Sequence, residues 1–218
     1  MPVDPETPGP EWLNAWILEE IAAFPVGGGY RFSPSARAPS DPVNPRDPTY
    51  DGVKRPLSVD GVTIAAAATD GATYCCGVTL EVFWRAWQAA SRGSSAAPGG
   101  MSVSQAERFV ALWFCPTMGA SGAQDALERT GLGVAVAPEA ARPGDFVQYW
   151  RSTDLAQPSG HSAVFLGWET DGALRYWSSQ PATDGIHVHR EMPGPEWTWA
   201  FARAFSPEAA GQGQGNAP

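Results

Sequence analysis

The apolar residues of this 218-residue chain change their spacing near Asp145, and this change constrains the fold more than any other feature. Before Asp145 they recur every three or four residues, as in helices that bury one face. After it come short runs rich in aromatic and β-branched residues, separated at Asp171-Gly172 and Asp184-Gly185 by dipeptides that favour hairpin turns. The sequence therefore predicts an α+β fold, with N-terminal helices packed on a C-terminal antiparallel meander of four or five strands.

Four helices are predicted before this change. The first covers about residues 10–24 and the second covers residues 73–90. Two further helices are predicted to start at Ser104 and near Ser121, each followed three residues later by Glu or Gln, as in a capping box.

Outside these helices and strands, proline and low complexity predict little regular structure. Residues 1–9 are expected to be flexible. Residues 10–72 are expected to hold the first helix and a proline-rich segment that wraps the surface. The tail, residues 207–218, is expected to be disordered, which leaves residues 73–206 as the main domain.

The charge balance narrows the classes of partner. Lys and Arg total 14 against 23 Asp and Glu, a net charge of −9. This balance argues against binding nucleic acid or an anionic membrane surface, since both require clustered cations. No apolar run is long enough for a membrane span, and no secretory signal peptide is visible, so the default expectation is a cytoplasmic location, with export by a non-Sec route left open.

The chain has three cysteines, Cys75, Cys76 and Cys115, and this odd number in a chain without an export signal predicts reduced thiols. Cys75 and Cys76 fall in the first turn of the predicted second helix. The unpaired N–H groups of a helix N-terminus favour a thiolate, so a cysteine there is expected to have a lowered pKa. One of these two thiols is therefore a candidate nucleophile.

A thiol nucleophile needs a base, and His161 is the candidate because it opens a predicted strand at the rim of the sheet. On that strand it shares a face with Ala163 and Phe165. In an antiparallel meander, the far end of the following strand lies beside His161. Gln180 and Ser178 share one face there, and either side chain is suited to orient the imidazole.

Three segments resemble the NlpC/P60 cysteine peptidases and the related CHAP-type amidases. YCCGVTLEVFW resembles their D-C-S-G-[FL] helix start, RPGDFVQYW their L-x-P-G-D-L-V-F-F strand, and GHSAVFLGW their H-V-G-I-Y-L-G strand. The segments occur in the family's order, and the resemblance covers roughly residues 73–190. Tyr74 and Cys76 stand where the family has Asp and Ser.

The resemblance implies a papain-like fold with residues 73–206 as the catalytic domain. It assigns Cys75 as the nucleophile, His161 as the base and a polar residue, Gln180 or Ser178, as the orienting group. The implied activity is hydrolysis of peptide or amide bonds, in peptidoglycan stem peptides or related cell-wall amides, without a cofactor. The expected partner is a peptide or a peptidoglycan fragment, and the sequence identifies no inhibitor or immunity protein.

Alternatives remain open from the sequence. Cys76 could replace Cys75 as the nucleophile, or the chain could be a degenerate member of the family. His187 and His189 share a strand face and, with a further ligand, suit a zinc-dependent hydrolase. The ten tryptophans allow a non-catalytic module that binds carbohydrate or cell wall.

Overall fold

A computed structural model describes residues 11–31, 51–92, 96–154 and 159–213. The helices in these residues are α1 (Asn14–Ala23), α2 (Cys75–Ala90), α3 (Val103–Trp113), α4 (Ala123–Thr130) and α5 (Pro207–Gly213). The strands are β1 (Gly27–Gly28), β2 (Leu57–Val59), β3 (Val62–Ala65), β4 (Gly133–Val136), β5 (Phe146–Ser152), β6 (Ser159–Trp168), β7 (Leu174–Gln180), β8 (Gly185–Glu191) and β9 (Thr198–Ala204). Among the described helices, none has the length and hydropathy to cross a bilayer.

Seven of the strands form one sheet, in the order β1-β8-β7-β6-β5-β9-β4, and all of its pairings are antiparallel. The predicted α+β class is confirmed, and β5 to β8 form the predicted meander. The meander prediction is wrong for β9, which pairs with β5 instead of β8. The segment after β8 crosses one face of the sheet, where Trp197 stacks on Tyr149 with ring centroids 5.0 Å apart, and delivers β9 to the open edge of β5.

Helix α2 lies on one face of the sheet, with nearly all of its length buried. Its Phe83 meets Trp113 of α3 and Phe146 of β5 at the centre of the core, with ring centroids 5.3 and 6.2 Å away. The opposite face carries a smaller core that includes Tyr149, Phe165, Tyr176 and Phe201, packed against the partly buried Trp197 and Trp199. The sheet is therefore the middle layer of the structure, apolar on both faces.

Two contacts fix the position of α2. The helix meets the backbone of residues 51–52 at Gly77, where a Cβ would collide with the carbonyl carbon of Gly52. One turn further on, the fully buried carboxylate of Glu81 accepts hydrogen bonds from the backbone N–H groups of Lys54 and Arg55. Burial raises the pKa of Glu81, although those bonds and nearby arginines oppose the rise.

The start of β5 is fixed by a buried ion pair. Asp145 of the Pro-Gly-Asp turn is fully buried and binds the guanidinium of Arg203 on β9 through Nε and Nη2, both at 2.8 Å. The side chain of Asn14 in α1 also donates to Asp145, at 2.8 Å. This aspartate therefore ties the first helix to the adjacent strands β5 and β9.

Several boundaries differ from the predictions. Helix α3 is capped by Ser102, whose backbone N–H donates to the side chain of Gln105 at 2.9 Å, instead of by Ser104. Both serines match the capping-box pattern, so the sequence alone offered two starts. Helix α4 begins after Gly122, two residues later than the predicted Ser121.

The segments predicted to be irregular also differ in part. Strands β2 and β3 form a hairpin where the end of the proline-rich wrap was predicted, because Leu57 and Val59 bury their side chains in the core. Helix α5 occupies the first part of the tail predicted to be disordered, with Ala210 packed into the core. Residues 1–10, 32–50 and 214–218 lie outside the described residues, so the predictions for residues 1–9 and most of the wrap stay predictions.

Candidate active site

Cys75 and Cys76 occupy the first turn of α2, as the sequence predicts. Both are buried, and their sulfur atoms are 3.9 Å apart. Tyr74 precedes the helix in extended conformation, so the two cysteines lie in the first turn of α2, where backbone N–H groups have no partner within the helix. All three cysteines are free thiols.

His161 lies near the start of β6, opposite Tyr149 of β5. Its ring contacts those of Tyr149 and Tyr176, which belong to the same cluster as Ala163 and Phe165, so the predicted face is confirmed. His161 is 4% exposed and Cys75 is 2% exposed. Although far apart in sequence, the two residues line one small cavity.

This cavity has a volume of about 10 Å³, room for a single water molecule at most. The residues around it come from α2, from β5 and β6, and from the segment between α3 and α4: Tyr74, Cys75, Cys76, Phe114, Cys115, Gln148, Trp150, Gly160 and His161. A peptide cannot enter a space of this size, so the site is closed.

Residues 114–122 close one side of the cavity. Trp150 of β5 donates its indole N–H to the carbonyl of Ala120 at 2.9 Å. Cys115 has a left-handed backbone, with φ of 54°, and a Cβ at Gly122 would lie 3.0 Å from its sulfur. Access to Cys75 from this side therefore requires movement of residues 114–122.

The pKa of Cys75 is raised well above its ordinary value. Burial is the main cause, and the neighbouring thiol of Cys76 adds to it. His161 acts in the opposite direction, through its charge and as a hydrogen-bonding partner of the thiol. The expectation of a lowered pKa is therefore wrong for the closed site, because exclusion of water outweighs the opposing effect of His161.

The two predicted orienting residues lie near the site but make other hydrogen bonds. Ser178 donates to the carbonyl of Ser162 at 2.7 Å. The Nε2 atom of Gln180 donates to the hydroxyl of Thr183 at 2.6 Å. Among the described residues, His161 Nε2 and Gln180 Oε1 are both buried without a hydrogen-bond partner.

The register of the sheet relates these two unpaired atoms. Val164 of β6 pairs with Trp177 of β7, and three further residues along each strand lead to His161 and Gln180. The imidazole supplies a possible N–H donor and the amide oxygen an acceptor, so one hydrogen bond between them would satisfy both atoms.

Behind His161 lies a polar cluster that the sequence reasoning missed. The hydroxyls of Tyr149 and Tyr176 both donate to Oε2 of Glu191 on β8, at 2.9 and 3.3 Å. Arg151 of β5 binds the same carboxylate. The alternation of side chains along the strand sequence HVHRE could have indicated this cluster, since it places Glu191 on the same face of β8 as His187 and His189.

The zinc alternative gains no support from the described residues. Within the described residues, no three His, Cys, Asp or Glu side chains are grouped as metal ligands, so His187 and His189 have no third ligand with which to bind zinc. Trp84, Trp87 and Trp113 are buried in the core. Among the tryptophans in or near strands, however, Trp168 is 41% exposed, so the carbohydrate alternative stays a prediction.

Comparison with protein-family models, curated proteins and solved structures yields no match for this chain. The resemblance to NlpC/P60 enzymes therefore rests on the three sequence segments alone.

Proposed function

We propose that this protein is a cysteine hydrolase that cleaves peptide or amide bonds, with Cys75 as nucleophile and His161 as general base. The observation that carries the proposal is the meeting of the two side chains in one buried cavity at the N-terminus of α2. A thiol, a base within reach and helix N–H groups are the parts that acyl transfer through a thioester requires.

The raised pKa of Cys75 defines how the reaction begins. The thiol is protonated at neutral pH, so His161 accepts its proton as the sulfur attacks the carbonyl carbon. First-turn N–H groups of α2 stabilise the oxyanion that forms. His161 then gives the proton to the departing amine, and water hydrolyses the thioester to release the acid and restore the thiol.

Cys75 is proposed as the nucleophile because the sequence resemblance assigns it and because His161 is a hydrogen-bonding partner of its thiol. Gln180 is preferred to Ser178 as the orienting group, since its free amide oxygen complements the unpaired His161 Nε2, whereas Ser178 is bound to a carbonyl. The papain-like arrangement is also a proposal. It is supported by a cysteine-bearing helix on one face of an antiparallel sheet that carries the histidine.

The proposed substrates are the amide bonds of peptidoglycan stem peptides, a choice that rests on the sequence resemblance. The test is incubation of the purified protein with muropeptides that carry intact stem peptides, followed by mass analysis and detection of new amines. Wild-type protein should cleave, and Cys75→Ala should lose at least about 1,000-fold in rate, as expected when a nucleophile is removed.

Cys76→Ala is the matched control, since it removes the adjacent buried thiol, and it should keep cleaving. Full activity in Cys75→Ala would refute the nucleophile assignment. Loss in Cys76→Ala alone would transfer the role to Cys76. If the wild-type protein cleaves no amide bond in these muropeptides, the hydrolase proposal is refuted.

A further inference from the structure

We propose that Glu191 is a positioning residue for His161: its carboxylate fixes two tyrosines whose rings hold the imidazole in place beside Cys75. This role rests on the proposed function and deepens it. Nε2 of His161 has no hydrogen-bond partner among the described residues. The carboxylate contacts the imidazole through the two tyrosines, in addition to the attraction between its charge and His161.

The imidazole is confined by two aromatic rings. Tyr149 and Tyr176 each meet His161 edge-to-face, with ring centroids 5.5 and 5.4 Å away and interplanar angles of 66° and 64°. The two tyrosines also contact each other at 6.0 Å, and both are almost fully buried. Rotation of the imidazole therefore requires movement of at least one tyrosine.

The tyrosines are themselves held at their hydroxyl ends. Both hydroxyls donate to one oxygen of Glu191, at 2.9 Å from Tyr149 and 3.3 Å from Tyr176. A buried hydroxyl without an acceptor is costly, so each ring is drawn to the position that reaches this oxygen. One carboxylate on β8 thus sets the placement of side chains on β5 and β7.

The carboxylate is fixed in turn by Arg151. The guanidinium binds both oxygens of Glu191 and donates to the Tyr149 hydroxyl at 3.1 Å. It also lies over the rings of Tyr149 and Trp197, 4.9 and 5.3 Å from their centroids. Such a bidentate arginine–carboxylate pair fixes the orientation of the carboxylate more strictly than a single hydrogen bond does.

Glu191 is in the charge state that this role needs. Burial favours its protonated form, but the hydrogen bonds and charge of Arg151 outweigh burial, and the pKa lies below its ordinary value. At neutral pH the group is a carboxylate, which can only accept hydrogen bonds. It therefore receives both tyrosine hydroxyls at once.

The test is an NMR comparison of the His161 ring protons in wild-type protein and in Glu191→Gln, since nearby aromatic rings set the chemical shifts of those protons. Glu191→Gln should displace both ring resonances. Tyr176→Phe keeps the ring, removes one hydroxyl and should displace them less. Glu169→Gln is the matched control, because Glu169 forms an ion pair at the surface with Arg190, the neighbour of Glu191 on β8. This variant should leave the His161 resonances unchanged.

Muropeptide hydrolysis gives a second readout. Glu191→Gln should lower kcat about 10- to 100-fold with little change in KM, because a displaced base affects the chemical step. His161 resonances that stay fixed in folded Glu191→Gln and Tyr176→Phe would overturn the positioning role, whatever the activity. Displaced resonances in a protein whose wild type cleaves nothing would uphold the positioning and refute the hydrolase.

Discussion

A cysteine at the start of a helix is ordinarily acidified by the N–H groups around it, yet Cys75 keeps its proton. Its cavity excludes water, and loss of solvation penalises the thiolate more than His161 favours it. A protonated thiol is a weak nucleophile, so the reactivity of Cys75 is restrained in this structure.

The restraint predicts slow alkylation. At pH 7.5, iodoacetamide should modify Cys75 in the folded protein at least about 10-fold more slowly than in urea, because burial limits access and holds the thiol protonated. Peptide mapping by mass spectrometry over time measures the rate at each cysteine.

Cys76 and Cys115 provide internal controls, since both are buried as well. All three thiols should react readily once the chain is unfolded. Equal rates for Cys75 in the folded and unfolded chains would contradict the closed site.

The two central residues of the site were predictable because each lies beside a local signal. Cys75 begins a helix with a clear apolar stripe, and His161 begins a strand after a polar loop. The role proposed for Glu191 was not predictable in this way. It depends on the pairing of β8 with β7 and on side chains from three strands converging on one oxygen.

At the scale of elements, the contact between α2 and residues 51–55 determines where the two cysteines lie. Gly77 allows the backbones to touch, and Glu81 binds two N–H groups of the same segment. A change at either residue is therefore expected to reach the cavity through the helix.

Gly77→Ala should destabilise the protein by about 1–3 kcal/mol, because the new methyl group meets backbone that cannot move aside cheaply. Urea unfolding followed by circular dichroism measures the change. Alanine is the better helix former, so helix propensity alone predicts the opposite sign.

Gly211→Ala is the control, since Gly211 also lies in a helix but faces open space. It should alter stability by less than about 1 kcal/mol. A Gly77→Ala protein as stable as wild type would show that α2 does not depend on this close approach.

Strand identity was more predictable than strand placement. The Asp-Gly turns are local, and they correctly join β6 to β7 and β7 to β8. The place of β9 beside β5 and the addition of β1 and β4 at the edges arise from tertiary pairing, on which local patterns carry no information. The β2–β3 hairpin was not predicted from the sequence, because its strands are short and follow a segment with many prolines.

At the scale of the whole molecule, two partly or fully buried carboxyl groups make stability depend on pH with opposite signs. The pKa of Glu191 is lowered from 4.5 in the folded state, so its contribution is present above that value and is lost as the pH falls through the lowered pKa. The pKa of Glu81 is raised from 4.5, so its ionisation costs stability as the pH rises above that value.

Urea unfolding between pH 3.5 and 7.5 should separate the two effects. The stability lost in Glu191→Gln should shrink as the pH falls below 4.5. The stability of Glu81→Gln relative to wild type should improve as the pH rises above 4.5. Parallel pH profiles for both variants and wild type would show that neither carboxyl titrates differently on folding.

The two outer strands of the large sheet are much shorter than the strands they flank. Gly27–Gly28 borders one side and Gly133–Val136 the other, while the seven- to ten-residue strands have neighbours on both sides. Cross-β fibres grow by stacking segments of about six or seven residues on free backbone. Since β1 pairs only with Gly185 and Ile186 of β8, residues 187–191 keep an open border among the described residues, and the charged Arg190 and Glu191 there should disfavour the stacking of further chains that seeds amyloid.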